Sequence, residues 1–336
     1  MKKILFLSTG GTIASTSSEN GLIPTVNGKD IINLIPELKN ICQIDHRTLF
    51  SLDSSNIQPE DWVLMSRAVY EAFSDSRYDG IVITHGTDTM AYSASALSFM
   101  VQNLKKPVIF TGSQLPIEAP GTDGKRNILD AFLAACDERL AGVYIVFDRL
   151  LIHGCHAKKM CSRDFHAFES INQPPAGHIT DQGVLLAEKA KAPDDSPMIL
   201  NAVFDDSVFL LKLFPGTKPQ ILETIPGLGY KAVVIEAFGL GGIPNIRRNL
   251  LPAIHALIDK KIPVVVTTQC VNNGCDLTVY DVGALASKAG ALDADSMTTE
   301  SIIAKLMWIL GQTDNFDQIN LLFNRNFIGE FTKNQL

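Results

Sequence analysis

A two-domain α/β fold with a mainly parallel sheet is predicted by three features of this sequence. The chain has 336 residues, which at roughly 100–200 residues per domain suggests two domains. Short apolar runs alternate with longer helix-like stretches, the pattern of strands joined by crossover helices. A polar, proline-containing break, Glu188-Lys189-Ala190-Lys191-Ala192-Pro193-Asp194-Asp195-Ser196-Pro197, has the composition of a linker. The expected organisation is a larger N-terminal domain over 1–188, its sheet flanked by helices, a linker over 189–206, and a smaller C-terminal α/β domain over 207–336.

Strands are expected at 4–8, 80–84, 107–111, 142–147, 208–213, 231–237 and 262–267. Each is a near-continuous run of Val, Ile, Leu or Phe, as befits parallel strands covered on both faces. Helices are expected near 59–75, 89–103, 124–139, 247–259 and 299–311. Pro59-Glu60-Asp61 opens the first of these with a proline at an early position and acids in the first turn. No internal repeat or low-complexity tract is visible.

Composition narrows the function. The net charge of −7 and the scattering of Lys and Arg argue against nucleic acid as a partner. The basic doublets Lys105-Lys106, Arg247-Arg248 and Lys260-Lys261 read as solvated surface. Six cysteines, none in a CxxC pair, lack zinc spacing. Cys155 and Cys161 lie near His153, His156 and His166, but reduced thiols of a cytosolic protein explain them more simply. The N-terminal apolar run, Ile4-Leu5-Phe6-Leu7, is too short for a signal peptide, and no run reaches the length of a membrane span. A cytoplasmic protein without membrane partner is expected.

Chemistry concentrates in segments that follow predicted strands, where open α/β sheets bind ligands. Ser8-Thr9-Gly10-Gly11-Thr12-Ile13-Ala14 places two glycines where the backbone can turn and approach a ligand, with the Thr12 hydroxyl beyond them. An ordinary turn is the plainer reading, and the phosphate-loop patterns are absent. Thr84-His85-Gly86-Thr87-Asp88-Thr89 offers hydroxyl, carboxylate and hydroxyl in succession. Asp88 suits a helix cap or a ligand ammonium group. Lys159, in a loop rich in Gly, His and Cys, is by itself an ordinary surface lysine. Held near Thr87 and Asp88 it becomes a candidate base, because burial lowers a lysine pKa.

Thr9-Gly10-Gly11-Thr12-Ile13, His85-Gly86-Thr87-Asp88-Thr89, Thr111-Gly112-Ser113-Gln114 and the Asp123-Gly124…Asn127…Ala131 pattern together resemble the bacterial-type L-asparaginase family. Asparaginase–glutaminases and an archaeal transamidation subunit also belong to that family. The resemblance runs from residue 3 to about 332, and Met90–Met100 and Thr268-Gln269-Cys270 look most like its cytoplasmic branch. It implies hydrolysis of L-asparagine to L-aspartate and ammonia without metal or cofactor. Thr12 would be the nucleophile; Lys159 would accept a proton. Asp88 would orient Lys159 and bind the substrate α-amino group, and Thr87 would position water or the hydroxyl. Asp53-Ser54-Ser55 would hold the α-carboxylate, Ser113 would line the amide pocket, and backbone N–H groups near Gly11, Thr12 and Thr87 would hold the oxyanion. Lys159 rather than Lys158 is implied because it lies six residues before Phe165. Assembly as a homodimer or homotetramer is also implied. A neighbouring subunit would complete the site from near 270–283, with Asp276 and Asp281 as candidates.

Two departures stand out. Where the family usually has a loop tyrosine, this chain has Leu22 in Asn20-Gly21-Leu22-Ile23-Pro24, which can neither donate nor accept a proton. Where some cytoplasmic members use an arginine to bind activating asparagine, Glu236 stands, so that regulatory site is expected to be missing. Leu22 motivates one alternative, a module that binds asparagine without cleaving it. The other is the ammonia-donating amidotransferase subunit, which in the family carries an extra domain before the Thr-Gly-Gly-Thr strand; here that strand starts at residue 3.

Overall fold

The computed structural model describes residues 1–18, 21–24, 27–187 and 196–331. The chain divides into two compact units, Met1–Ala202 and Val203–Leu336. The division between them falls inside the segment read as a linker.

The first unit is built on an eight-stranded sheet. Strand β1 (Lys3–Gly10) is buried from Ile4 onward, and β2 (Gln43–Leu52) pairs with it in parallel from Lys3↔Gln43. Helix α1 (Pro59–Ser74) leads to β3 (Gly80–Thr84), and helix α2 (Met90–Met100) to β4 (Pro107–Thr111). Helix α3 (Gly124–Ala135) leads to β5 (Gly142–Phe147). Every residue of β3 and β4 is buried, as their unbroken apolar sequences require. The strand order over this half is β2-β1-β3-β4-β5, all parallel. That order reverses direction between β1 and β3, and such a switch point opens a crevice at the carboxyl ends of the two strands.

The sheet then turns antiparallel. Asp148 and Arg149 both adopt positive φ (45° and 65°), the backbone of a tight two-residue hairpin. It returns the chain as β6 (Leu150–His153) against β5. Short strands β7 (Ala157–Lys159) and β8 (Phe168–Ser170) pair with each other. Strands β9 (Gly177–Thr180) and β10 (Gly183–Leu186) finish the sheet beside β6. The main core lies under α3, where Phe6, Val82, Ile109, Ile128, Phe132 and Val146 are fully buried.

The second unit holds a parallel four-stranded sheet in sequential order, β11 (Val208–Lys212), β12 (Ala232–Ala237), β13 (Val264–Thr268) and β14 (Leu292–Asp293). Helices α4 (Leu251–Asp259) and α5 (Thr299–Leu310) belong to it. Its strand order never reverses, so it offers no switch point. Lys305 of α5 is wholly buried, paired with buried Glu330 at 2.6 Å, and donates to the carbonyls of Phe323 and Arg325. This pair fastens the chain near residue 330 to α5.

Several expectations need correction. Strand β2 is not among the expected strands: Gln43-Ile44-Asp45-His46-Arg47 holds a single apolar residue, because this edge strand is only half covered and none of its residues is buried. The helix expected from 247 starts at Leu251, since Arg248 has φ 51° and Pro252 occupies the first turn, where its missing N–H costs nothing. The helix expected to 103 stops at Met100, after which Val101-Gln102 pair with Ile199-Leu200. The helix expected to 139 ends at Ala135, with Cys136 as its C-cap. Lys159 ends strand β7 rather than lying in a loop. Among the described residues no helix is long and apolar enough to cross a membrane.

Candidate active site

The crevice between β1 and β3 is closed by backbone lying against backbone. Gly11 follows β1 with φ 81°, a conformation that favours glycine. A Cβ there would stand 2.5 Å from Gly86 N and 2.6 Å from Gly86 Cα, so only hydrogen fits. Gly86 in turn lies against Ser54, whose Oγ would meet a Cβ at 2.5 Å. Three loops thus converge: Gly11-Thr12 after β1, Gly86-Thr87-Asp88 after β3, and Asp53-Ser54-Ser55 after β2.

Each loop is pinned. Gly11 N donates to Leu52 O at 2.9 Å, and Ser15 Oγ donates to Gly11 O at 2.9 Å. Thr12 opens a 3-10 turn over Thr12–Ala14 and is half-buried. Its hydroxyl has no hydrogen-bond partner among the described residues. Asp53 caps a second turn by accepting from Ser55 N at 2.9 Å. Buried Ser54 accepts at its carbonyl from Thr89 Oγ1 at 2.7 Å. Ser113, buried beyond β4, spends its hydroxyl on Leu115 O.

Lys159 reaches this crevice. Its Nζ lies 2.7 Å from Thr87 Oγ1 and 2.6 Å from Asp88 Oδ1. Asp88 does not cap α2; the N-cap position is Thr89, with no side-chain cap bond. Its carboxylate is instead shared between the lysine and solvent, with a side chain 58% exposed. Thr87 itself is buried. The arrangement supplies a cation, a buried hydroxyl and an accessible anion within one small volume.

A residue without an assigned role in the sequence orients this group. His85 is fully buried, and burial pushes its imidazole down to about 4, so the ring is neutral. Its Nδ1 lies 2.7 Å from Gly86 O and its Nε2 2.8 Å from Ser93 Oγ. Trp62 Nε1 donates to the same Ser93 oxygen at 3.0 Å. A carbonyl only accepts, so Nδ1 carries the hydrogen, Ser93 donates to Nε2, and the relay runs one way from Trp62 to Gly86. In a trans peptide, fixing the Gly86 carbonyl also fixes the opposed direction of the Thr87 N–H. The only sequence signal for this is the polar His85 beside two functional candidates.

The remaining expectations find other settings. Asp276 accepts from both the N–H and the hydroxyl of Thr278, and Asp281 stands in the first turn of the helix Asp281–Lys288. Glu236 accepts from Thr299 Oγ1 at 2.7 Å and lies 3.4 Å from Lys212 Nζ. The side chain of Leu22 lies outside the described residues. No group of three or more His, Cys, Asp or Glu suited to a metal occurs among the described residues. A cavity of about 700 Å³ borders β2 and α1, lined by residues such as Asp45, Arg47, Glu71 and Tyr78; none of the candidate site residues lines it.

The fold and this cluster define an α/β scaffold carrying hydroxyls, a lysine and a carboxylate at a switch point. The chain belongs to the asparaginase family: the asparaginase N-terminal domain matches residues 3–192 and the glutaminase/asparaginase C-terminal domain residues 207–323. An L-asparaginase from Thermococcus kodakarensis is 41% identical over 331 residues, covering 98% of this chain and 99% of that one. The solved structure of the thermostable L-asparaginase from that organism superposes with a TM-score of 0.93 at 40% identity, covering 99% and 100% of the two chains. L-asparaginase I from Vibrio cholerae gives 0.87 at 30% identity, covering 99% of each. A glutamyl-tRNA(Gln) amidotransferase subunit from Pyrococcus abyssi is 32% identical, covering 99% of this chain and 77% of that one.

Proposed function

We propose that this chain hydrolyses the side-chain amide of L-asparagine to L-aspartate and ammonia, with Thr12 as nucleophile. The observation that carries the reading is the Lys159 amine bonded to both Thr87 and Asp88 beside the Gly11–Gly86 contact. Thr12 Oγ attacks the amide carbon, and its proton is taken up toward Lys159, because a threonine hydroxyl is a weak nucleophile without a base. The oxyanion is held by the N–H groups of Thr12 and Thr87; the Gly11 N–H, also expected to serve, is instead spent on Leu52 O at 2.9 Å. Collapse expels the amide nitrogen as ammonia, which takes back the proton held by Lys159, and leaves an aspartyl ester on Thr12, which water positioned by Thr87 hydrolyses.

Asp88 takes the substrate ammonium group, and the Asp53-Ser54-Ser55 turn takes its α-carboxylate through the serine hydroxyls, its Ser55 N–H being spent on Asp53. Ser113 lines the amide end. The relatives named L-asparaginase, which cover nearly the whole chain, favour this over amidotransferase function. L-Glutamine adds one methylene, worth only about 1–3 kcal/mol of discrimination, so slower glutamine turnover accompanies the main activity. The working form is a homodimer or homotetramer, with the 270–283 segment of a neighbour completing the site. A cytoplasmic location is supported by six cysteines, none of them in a disulfide, as expected of a reducing compartment.

The test is ammonia release from L-asparagine and L-glutamine by the wild type and Thr12→Ala. The expected result is turnover in the wild type and a loss of at least about 10³-fold in the variant. Binding of asparagine without ammonia release by the wild type would favour a sensing module instead.

A further inference from the structure

Gln114 enters the sequence only as part of a matching motif, yet its side chain bridges two of the loops around Lys159. Its Nε2 donates to Asp164 O at 3.0 Å and approaches Cys161 O at 3.4 Å, both in the segment that follows β7. Carbonyl oxygens accept and never donate, so the NH₂ end of the amide must face them. That choice leaves Oε1 facing the other way, 3.4 Å from Thr87 Oγ1.

While Lys159 carries its extra proton, the proton arithmetic at Thr87 has one solution. A lysine ammonium carries donors and no acceptor. With Nζ at 2.7 Å, Thr87 Oγ1 must accept from it, and the threonine's own hydrogen must point elsewhere. Among the described residues the acceptor in reach is Gln114 Oε1. The separation is at the long end for such a bond.

The backbone of Gln114 is held as firmly as its side chain. Its N–H donates to the Asp123 carboxylate at 2.9 and 3.1 Å, and Leu115 N donates to the same group at 3.1 Å. Asn127 Nδ2 donates to Asp123 at 3.2 Å and to Gly112 O at 3.0 Å. Helix α3, which carries Asn127, thereby fixes the turn from which Gln114 projects.

We propose that Gln114 is a positioning residue that draws the Thr87 hydroxyl hydrogen away from Lys159, so that a Thr87 lone pair faces the lysine amine. This rests on the proposed hydrolysis only for its consequence on rate. A plain tether for the 160–166 segment would need the Nε2 contacts alone and no acceptor toward Thr87.

The experiment compares Gln114→Met and Gln114→Glu in the full chain. Two readouts are taken: kcat and KM for ammonia release across pH, and the pH at which Lys159 becomes reactive to an amine acylating reagent, read by peptide mass. In Gln114→Met the Thr87 hydrogen is free to turn toward Nζ, which disfavours the ammonium. The reactive pH of Lys159 is expected to fall, and kcat to drop roughly 10- to 100-fold with KM within about threefold. Gln114→Glu keeps an acceptor oxygen but adds a negative charge nearby. The reactive pH is expected to rise, by about one pH unit, with kcat recovering once the assay pH is raised. Shifts of opposite sign support the proposal. Equal shifts, no shift, or losses that merely track the folded fraction overturn it. The acylation readout stands even if the wild type releases no ammonia, a result that would count against the hydrolysis reading alone.

Discussion

Replacing Gly11 by alanine tests whether the crevice depends on backbone contact. The new Cβ would sit 2.5 Å from Gly86 N and 2.6 Å from Gly86 Cα, against a comfortable separation of about 3.5 Å. Both neighbours are backbone and cannot rotate away, so the two loops must part by about 1 Å. A displacement of that size at reacting groups costs on the order of 10²-fold in rate. The positive φ adds about 1–3 kcal/mol of strain to the folded state. Gly142→Ala separates the two effects. Gly142 also has positive φ, 112°, but a Cβ there meets nothing within 4 Å, so strain appears without displacement. Urea unfolding and kcat/KM for ammonia release are measured on both. A small stability loss in Gly142→Ala, a larger one in Gly11→Ala, and about 100-fold lower activity confined to Gly11→Ala are expected. Unaltered activity in Gly11→Ala, or equal loss in Gly142→Ala, would refute the reasoning.

Three further outcomes follow from the structure. Lys159→Met removes the amine shared by Thr87 and Asp88; kcat is expected to fall about 10²- to 10⁴-fold with the circular dichroism spectrum unchanged, and a smaller loss would place the proton acceptor elsewhere. His85 is held neutral, pushed down to about 4 by burial, whereas the unfolded chain protonates near 6.5. Between these values the unfolded state binds the extra proton, so acidification from pH 7 to 4 removes roughly 3 kcal/mol of stability through this residue. His85→Gln should flatten that part of the pH dependence of the urea midpoint, and an unchanged slope would contradict it. In the second unit, Lys305→Met strands the Glu330 charge and is expected to cost about 3–5 kcal/mol. Lys305→Met combined with Glu330→Gln should regain much of this in urea unfolding, and an additive loss would mean the charges are not coupled.

How far the sequence can be read depends on how local each determinant is. The fully buried strands β3 and β4 stand out because parallel strands covered on both faces need unbroken apolar runs. Strand β2 does not, because its half-covered edge begins with a mostly polar segment, Gln43–Arg47, that reads as a loop. The hairpin at Asp148-Arg149 is also hidden, since Arg149 stands at positive φ where such turns usually carry glycine. That hairpin separates β5 from Lys159, so the lysine reads as a loop residue when it ends a strand. At the site, Thr12, Thr87 and Asp88 are legible from their place after strands. His85 and Gln114 are not, because their parts consist of contacts to Ser93, Asp123 and Asp164 that exist only after folding.

The central claim is that the Thr12 oxygen forms the bond to the substrate acyl carbon. Acid quenching of the enzyme during turnover of isotopically labelled L-asparagine, followed by peptide mass mapping, reads this directly. The account predicts an aspartyl ester on the peptide containing Thr12 and none after Thr12→Ala. The same label on the peptide containing Thr87, with Thr12 unmodified, would contradict it.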